Sequence, residues 1–210
     1  MSVLNETYAL SNDVEIPKLG LGTWFIDDSE AAQAVRAAVV AGYRNIDTAQ
    51  AYGNERGVGE GIRTAGVPRE ELFISTKLAA EIKDYDGAVA AIDESLAKMS
   101  LDYVDLMLIP SPQPWSDFRG GDYSEGNREA WRALEDAYKA GKIRSIGVSN
   151  FLEADLENIL DSATVAPHVN QLLVHVGNTP SELISFCDSK GILVDAYSPI
   201  PHGEMMQNPQ

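Results

Sequence analysis

Short apolar runs alternate with longer segments of helical periodicity along most of the chain. In the longer segments, apolar residues recur every three or four positions, as at Ala31, Val35, Ala38 and Val39. Short bounded runs predict buried strands, and the longer spacing predicts amphipathic helices. The predicted strands are 18–24, 44–47, 72–77, 103–109, 143–148, 169–174 and 192–196. This alternation predicts a parallel sheet with helices outside it.

The predicted fold class is α/β, a TIM (β/α)8-type barrel with an N-terminal β-hairpin. The hairpin covers residues 8–16, and we expect it to plug the bottom of the barrel. Seven strands and six helices follow, whereas a closed barrel has eight of each and roughly 250 residues. We therefore expect one domain over residues 1–210, truncated after the seventh strand, with the C-terminal β/α unit missing.

Composition narrows the class of protein. Of the 210 residues, 44% are apolar and 23% are charged, as in an ordinary globular domain. The net charge of −16 argues against nucleic acid or an anionic membrane as partners. No signal peptide is expected, because residues 1–6 lack a basic start and an apolar core. No apolar run reaches membrane-spanning length, and Cys187 is the single cysteine. A cytoplasmic location is the simplest interpretation.

Two local patterns have structural interpretations. The glycines at 57, 59 and 61 resemble a dinucleotide fingerprint, but they lie inside a predicted helix instead of a strand-to-helix turn. We interpret them as sites of close helix packing. Residues 179–182 read as a capping box with proline at the first helical position. His168, His175 and His202 are scattered, so no metal site is expected.

The stretch 44–55 carries the candidate chemistry. It places a carboxylate, Asp47, and a phenol, Tyr52, at a strand-to-helix turn, and Lys77 ends the next strand. Strand ends are where active sites gather in a β/α architecture. A nearby ammonium lowers the pKa of a phenol, and a carboxylate can hold the ammonium, so these three residues predict a proton-transfer site. The alternative is a surface aspartate, a packed tyrosine and a solvated lysine.

The same stretch resembles the signature of the aldo-keto reductases, and other motifs extend the resemblance along almost the whole chain. The motifs are Asn45-Ile46-Asp47-Thr48-Ala49, Tyr52-Gly53-Asn54-Glu55, Gly20-Leu21-Gly22-Thr23-Trp24, Gly147-Val148-Ser149-Asn150-Phe151, Val169-Asn170-Gln171 and Ala196-Tyr197-Ser198-Pro199-Ile200. The bacterial branch similar to 2,5-diketo-gluconate reductases fits best. The resemblance implies a (β/α)8 barrel that reduces aldehydes and ketones with NADPH.

By resemblance, the catalytic residues would be Asp47, Tyr52 and Lys77. Tyr52 would donate a proton, Lys77 would ease its departure and Asp47 would orient Lys77. The residues implied for NADP or NADPH are Gly22, Thr23, Trp24, Asp47, Ser149, Asn150, Gln171, Tyr197, Ser198 and Pro199. Within this set the nicotinamide would stack on Tyr197, and its carboxamide would bond to Ser149, Asn150 and Gln171. For these last three residues, the alternative is strand-end capping.

The substrate side would be formed by Trp24, Tyr52 and Trp115. Trp115 lies in a long loop, 110–126, and long loops in compact domains are often functional. Two features depart from the family pattern. Pro110 stands where the family has a histidine, and proline offers no side-chain donor. The family's C-terminal part, with its basic residues for the adenosine phosphate, is also expected to be missing.

Three functions remain open from the sequence. The first is a reductase of small carbonyl compounds, impaired to some degree by Pro110 and the short C-terminus. The second is a non-catalytic, cofactor-binding relic or pseudo-enzyme of the same fold. The third is an interaction module that pairs an open sheet edge with a partner. Because seven strands leave two edges, we also expect self-association through them.

Overall fold

The alternation of strands and helices is confirmed in the computed structural model, which describes residues 3–199. The parallel strands are β3 (Gly20–Gly22), β4 (Asn45–Asp47), β5 (Phe73–Lys77), β6 (Val104–Ile109), β7 (Ile143–Ser149), β8 (Val169–Leu173) and β9 (Leu193–Tyr197). The helices are α1 (Asp28–Val40), α2 (Glu55–Arg63), α3 (Tyr85–Met99), α4 (Ser124–Lys139), α5 (Glu153–Leu160) and α6 (Ser181–Ser189).

The seven strands form one sheet in chain order, and each pairs in parallel with the next. The result is a nearly closed barrel whose described edges are β3 and β9. Parallel pairing in chain order brings the carboxyl ends of all seven strands to one face. The predicted α/β barrel is therefore confirmed, and this face is where its strand-end side chains can meet.

An antiparallel hairpin of β1 (Thr7–Ala9) and β2 (Glu15–Pro17) precedes the barrel. Leu10 and Ile16 from the hairpin are buried in a cluster with barrel residues that include Phe73 and Leu106. The expected contact between the hairpin and the barrel is confirmed, and it covers the end opposite the strand-end face.

The main core lies between the sheet and the helices. Ala31 and Val35 of α1 pack in one cluster with Ile46 and Ile74 of the sheet. All six residues of β6 are buried, as expected for a parallel strand that is covered on both faces. Helical periodicity predicted these contacts because a helix against a sheet buries one stripe.

The glycines of α2 allow close packing, as predicted. A Cβ at Gly57 would lie 2.1 Å from the backbone oxygen of Asp28, and one at Gly59 would lie 2.2 Å from that of Met99. The helix therefore touches the backbones of α1 and α3, and no larger residue fits at these positions. These contacts set the position of α2 against α1 and α3.

The capping box predicted at residues 179–182 is wrong. Helix α6 begins at Ser181, its N-cap is Pro180, and no side chain caps it. The Thr179 oxygen instead accepts bonds from the backbone and hydroxyl of Ser181. The helix therefore begins one residue later than predicted, and Thr179 lies outside it.

At the hairpin end of the barrel, Asp105 is fully buried. Its carboxylate accepts hydrogen bonds from Arg69 and Arg144, each at 2.7 Å, and from the Ile74 backbone at 2.9 Å. A buried charge is tolerated when it is paired and hydrogen-bonded in this way. Asp105 is therefore a structural residue at this end of the barrel.

Two kinds of feature are absent from residues 3–199. No helix in this range is long and apolar enough to cross a membrane. The same range holds no group of three or more potential metal ligands of the His, Cys, Asp or Glu type. Ile200 and His202, which the sequence analysis singled out, lie outside the described residues.

Candidate active site

Polar side chains from five strands meet at the carboxyl face of the barrel. Asp47 and Lys77 end β4 and β5, Ser149 ends β7, Gln171 lies in β8, and Tyr197 ends β9. Their positions follow from parallel pairing in register, for example of Asp47 with Ser75 and of Ser149 with Gln171. The sheet thus converts distant sequence positions into neighbours.

Asp47, Lys77 and Tyr52 lie together. Lys77 Nζ donates to Asp47 Oδ2 at 2.6 Å and to the Thr48 oxygen at 3.0 Å, and it lies 5.3 Å from the centre of the Tyr52 ring. The side chains of Lys77 and Asp47 are 7% and 21% exposed. This is a largely buried ion pair beside a phenol, so the expected grouping of the three residues is present.

Electrostatics keep Lys77 charged and Tyr52 neutral. Burial alone would lower the pKa of Lys77, but Asp47 and Tyr52 outweigh it, and the pKa is raised. For Tyr52, burial and the charge of Asp47 outweigh the opposing effect of Lys77, so its pKa is raised as well. Lys77 lowers the pKa of this phenol, as predicted, but burial has the larger effect, and the pKa lies above its ordinary value. At neutral pH the phenol retains its proton.

A buried network holds the turn that carries Tyr52, a 3₁₀ turn at Gln50–Tyr52. The Gln50 amide donates to Ser95 Oγ at 2.9 Å and accepts from the Ala79 backbone at 2.8 Å. Asn54 bonds Thr48 and two backbone oxygens of the loop after β3. The phenol therefore sits on a turn that is tied to its neighbours on both sides.

A second polar cluster faces the first across the barrel mouth. Asn150, which has a left-handed φ of 61°, donates to the Pro110 oxygen at 3.0 Å and to Ser149 Oγ at 3.1 Å. Its Oδ1 accepts from the Tyr197 hydroxyl at 2.9 Å, and Ser149 Oγ donates to the Gln171 backbone oxygen at 2.8 Å. These bonds link the ends of four strands, β6 to β9, into one wall.

Gln171 connects the second cluster to Asp47 of the first, and it also binds Asp195. Its Nε2 donates to Asp195 Oδ2 at 2.8 Å and lies 3.4 Å from Asp47 Oδ1. Burial and the nearby charge of Asp47 raise the pKa of Asp195, while Gln171 and Lys77 act in the opposite direction. A continuous polar path therefore runs from Asp195 to Lys77.

The long loop after β6 closes one side of the site. Trp115 and Phe118 lie with ring centres 5.7 Å apart. Arg119 donates to the Asn150 backbone oxygen and to Asp155, each at 2.7 Å. The loop is thereby attached to the start of α5, and Trp115 is held beside the barrel mouth.

These elements surround a cavity of about 650 Å³. The predicted site residues that line it are Gly22, Trp24, Asp47, Tyr52, Lys77, Trp115, Ser149, Asn150, Gln171, Tyr197 and Ser198. Ala51 and Pro110 line it as well. A cavity of this size, with a few convergent polar groups, is typical of a small-molecule site.

Two predicted residues do not line the cavity. Thr23 is fully buried, and its hydroxyl donates to the Asp47 backbone oxygen at 3.1 Å. Pro199 is exposed and lies outside the lining. Thr23 thus supports the site from outside the cavity, because its hydrogen bond ties the end of β3 to the end of β4.

Asp195 and Arg119 contact the site but were not among the residues predicted from the sequence. Asp195 carried a usable signal, because a charged residue two positions before Tyr197 in an apolar strand must face the same side of the sheet. Arg119 carried none, since its partners Asn150 and Asp155 follow it by more than thirty positions and belong to another loop.

The fold and site together define a β/α-barrel protein with a proton-transfer centre in a small-molecule cavity. The profile of the aldo/keto reductase family matches residues 18–208. The chain therefore belongs to the aldo/keto reductase family of oxidoreductases.

Named relatives and solved structures agree with this assignment. The chain is 44% identical over 206 residues to glyoxal reductase of Bacillus subtilis, covering 98% of this chain and 71% of the relative. An aldo/keto reductase from Brucella melitensis superposes with a TM-score of 0.87 at 40% identity, covering 93% of this chain and 73% of that one.

A Bombyx mori aldo-keto reductase, solved in complex with NADP, superposes with a TM-score of 0.83 at 40% identity and covers 92% and 66% of the two chains. None of these relatives supports the alternative of a non-catalytic protein.

Proposed function

We propose that this protein reduces small aldehydes and ketones to alcohols with NADPH, and that Tyr52 is the proton donor. The observation that carries the proposal is the meeting of Asp47, Tyr52 and Lys77 in the wall of one cavity. Catalysis of this reaction needs a neutral acid near the substrate oxygen. The raised pKa of Tyr52 supports that role because it keeps the phenol protonated at neutral pH.

Lys77 stabilises the charge that develops when Tyr52 gives up its proton. Its ammonium lies beside the phenol and is held by Asp47 at 2.6 Å. In a buried site such a charge acts more strongly than it would in water. Asp47 thus keeps the cation in place, and Tyr52 protonates the carbonyl oxygen as the oxygen becomes an alkoxide.

The cofactor side is formed by the wall opposite. The ring of Tyr197 can carry a flat nicotinamide, and Ser149, Asn150 and Gln171 offer polar groups for its carboxamide. When bound, NADPH would supply the hydride that reduces the carbonyl carbon. Gly22, Trp24 and Ser198 lie in the same lining and complete the proposed contacts. The NADP complex of the Bombyx mori enzyme supports this choice of cofactor.

The substrate side favours a small carbonyl compound. Trp24 and Trp115 are the apolar walls, and Pro110 lines the cavity between the two polar clusters without a donor of its own. A short aldehyde or dicarbonyl of the kind named in the Bacillus subtilis relative suits this lining. Tyr52 is then the principal side-chain donor to the substrate oxygen.

Turnover with a panel of aldehydes and diketones tests the proposal, with oxidation of NADPH followed by absorbance. We expect measurable reduction of small aldehydes and a lower rate with bulky ketones. Equilibrium binding of NADPH is measured in parallel by fluorescence. Cofactor binding with no turnover of any carbonyl compound would contradict the proposed reaction and leave cofactor binding as the remaining activity.

A further inference from the structure

Asp195 is a carboxyl group next to the cavity lining that the proposed reaction does not use. It lies on β9 opposite Gln171 of β8 in the parallel register. Its Oδ2 accepts a hydrogen bond of 2.8 Å from Gln171 Nε2, and it lies on the same side of β9 as Tyr197. The position places a second carboxyl group close to Asp47, on the wall proposed to hold the cofactor.

The two carboxylates fix the orientation of the Gln171 amide. Nε2 is 2.8 Å from Asp195 Oδ2 and 3.4 Å from Asp47 Oδ1. A flipped amide would point its oxygen at two carboxylate oxygens, which have no hydrogen to donate when ionised. The network therefore determines which end of the amide faces which way.

Asp195 is the stronger of the two restraints. The contact with Asp47 is at the limit of hydrogen-bond distance, and Asp47 is already paired with Lys77 at 2.6 Å. Asp195 has the shorter contact and is fixed by the backbone pairing of β9. Without Asp195, the amide of Gln171 would be held by one weak contact.

The oxygen of the Gln171 side-chain amide remains available to a ligand. Within residues 3–199, no hydrogen bond engages Gln171 Oε1, although Gln171 lines the cavity. Both hydrogens of the Asn150 amide are used, on Pro110 and Ser149, and the Ser149 hydroxyl donates to Gln171. Gln171 Oε1 is thus an acceptor in this wall that has no hydrogen-bond partner among residues 3–199 and that a ligand can engage.

We propose that Asp195 is a positioning residue that holds Gln171 with its amide oxygen toward the cavity. The site then presents an acceptor to the NH₂ group of a nicotinamide carboxamide. This inference rests on the proposed function, because it assigns Asp195 a part in the recognition of the cofactor's nicotinamide group.

The first test uses the protein without cofactor. The side-chain NH₂ resonances of Gln171 are assigned by their loss in Gln171→Leu and compared between wild type and Asp195→Leu. We expect Asp195→Leu to move and broaden them, because the amide can now rotate. Asp195→Asn keeps an acceptor and should perturb them less. Val194→Ala, on the same strand, is the matched control. Resonances in Asp195→Leu that shift no more than in the control would overturn the inference.

The second test measures equilibrium binding of NADP⁺ and of its 3-acetylpyridine analogue, which lacks the NH₂ group. One hydrogen bond to this group corresponds to about a tenfold preference for NADP⁺ in the wild type. We expect Asp195→Leu to bring the ratio of the two dissociation constants close to one and Asp195→Asn to retain most of it. An unchanged ratio in Asp195→Leu overturns the role of Asp195 and leaves the cofactor proposal standing. Failure of the wild type to bind either dinucleotide overturns the cofactor proposal and this inference together, while the first test still reports on the Asp195–Gln171 contact.

Discussion

Arg119 donates a hydrogen bond of 2.7 Å to the backbone oxygen of Asn150, and this contact joins two loops of the site. Arg119 belongs to the long loop after β6, which carries Trp115, and Asn150 follows β7 in the wall proposed for the cofactor. The guanidinium also pairs with Asp155 at 2.7 Å. One side chain therefore couples the apolar wall of the cavity to its polar wall.

Replacing Arg119 by Ala should weaken substrate binding more than folding. The loop loses a hydrogen bond from a charged group, which is worth about 1.5–3 kcal/mol when well formed and less when it is exposed. We expect KM for a small aldehyde to rise about three- to tenfold, with kcat and the midpoint of thermal unfolding little changed. Arg132→Ala removes a comparable ion pair on α4 and is the control. An equal effect of the two variants on KM would contradict the coupling.

Tyr52→Phe removes the proposed proton donor and keeps the ring. Loss of positioned acid catalysis typically costs about 100- to 10,000-fold in rate. We expect that loss in kcat, with NADPH affinity and the far-ultraviolet spectrum nearly unchanged. Tyr138→Phe, on the outer helix α4, deletes a hydroxyl far from the cavity and should retain activity. Full activity of Tyr52→Phe would contradict the assignment of Tyr52 as the proton donor.

Pro110→His should add a hydrogen-bond donor to the cavity. Pro110 follows β6 directly, after the last pair of the β6–β7 ladder, so the change should leave the strand intact. A donor aimed at developing negative charge is commonly worth about 2.7–4 kcal/mol. We expect turnover of a small aldehyde to rise about 100-fold or more, without a change in cofactor affinity. Pro114→His adds an imidazole outside the cavity lining and is the control. If turnover by Pro110→His does not rise although the cofactor is bound, position 110 does not lack a catalytic group.

The pKa of Asp195 makes stability depend on pH in a defined direction. Burial, with the added charge of Asp47, raises this pKa, although Gln171 and Lys77 oppose the shift. A carboxyl group whose pKa is higher in the folded state stabilises the fold below its ordinary pKa of about 3.9 and loses that contribution as pH rises through the folded value. Asp195→Asn should therefore gain stability relative to wild type as pH increases from about 4 to 7.

Urea unfolding at a series of pH values measures this difference. Asp188→Asn, at an exposed position of α6, is the matched control. A difference in the free energy of unfolding between Asp195→Asn and wild type that stays constant or falls with rising pH would refute the assigned direction.

We expect self-association because the described part of the sheet ends in two edge strands, β3 and β9. Within residues 3–199, β3 pairs only with β4 and β9 only with β8, so each has an unpaired backbone edge. Exposed edges recruit other strands, and charged side chains oppose this. We propose that the 210-residue chain associates through these edges, and we expect Ala196→Lys to shift sedimentation toward the monomer. Val40→Lys on α1 adds the same charge elsewhere; a stable and strictly monomeric wild type would argue against the proposal.

The sequence by itself determined the order and type of the elements. The apolar stripe that includes Ala31 and Val35 has the spacing of a helix packed against a sheet. The continuous apolar run of β6 is typical of a strand that is covered on both faces. The placement of Asp47, Lys77 and Tyr197 at strand ends followed from the same periodicity. Parallel strands then brought them to one face.

Only the tertiary structure decided the electrostatics and the contacts between loops. The pKa of Tyr52 depends on how far burial outweighs Lys77, and burial is a property of the packed site. The contacts of Arg119 with Asn150, and of Gln171 with both Asp195 and Asp47, join residues on separate elements. Such pairs leave no periodic trace in the chain because their distances are set by strand register and loop closure, which exist only once the barrel has formed.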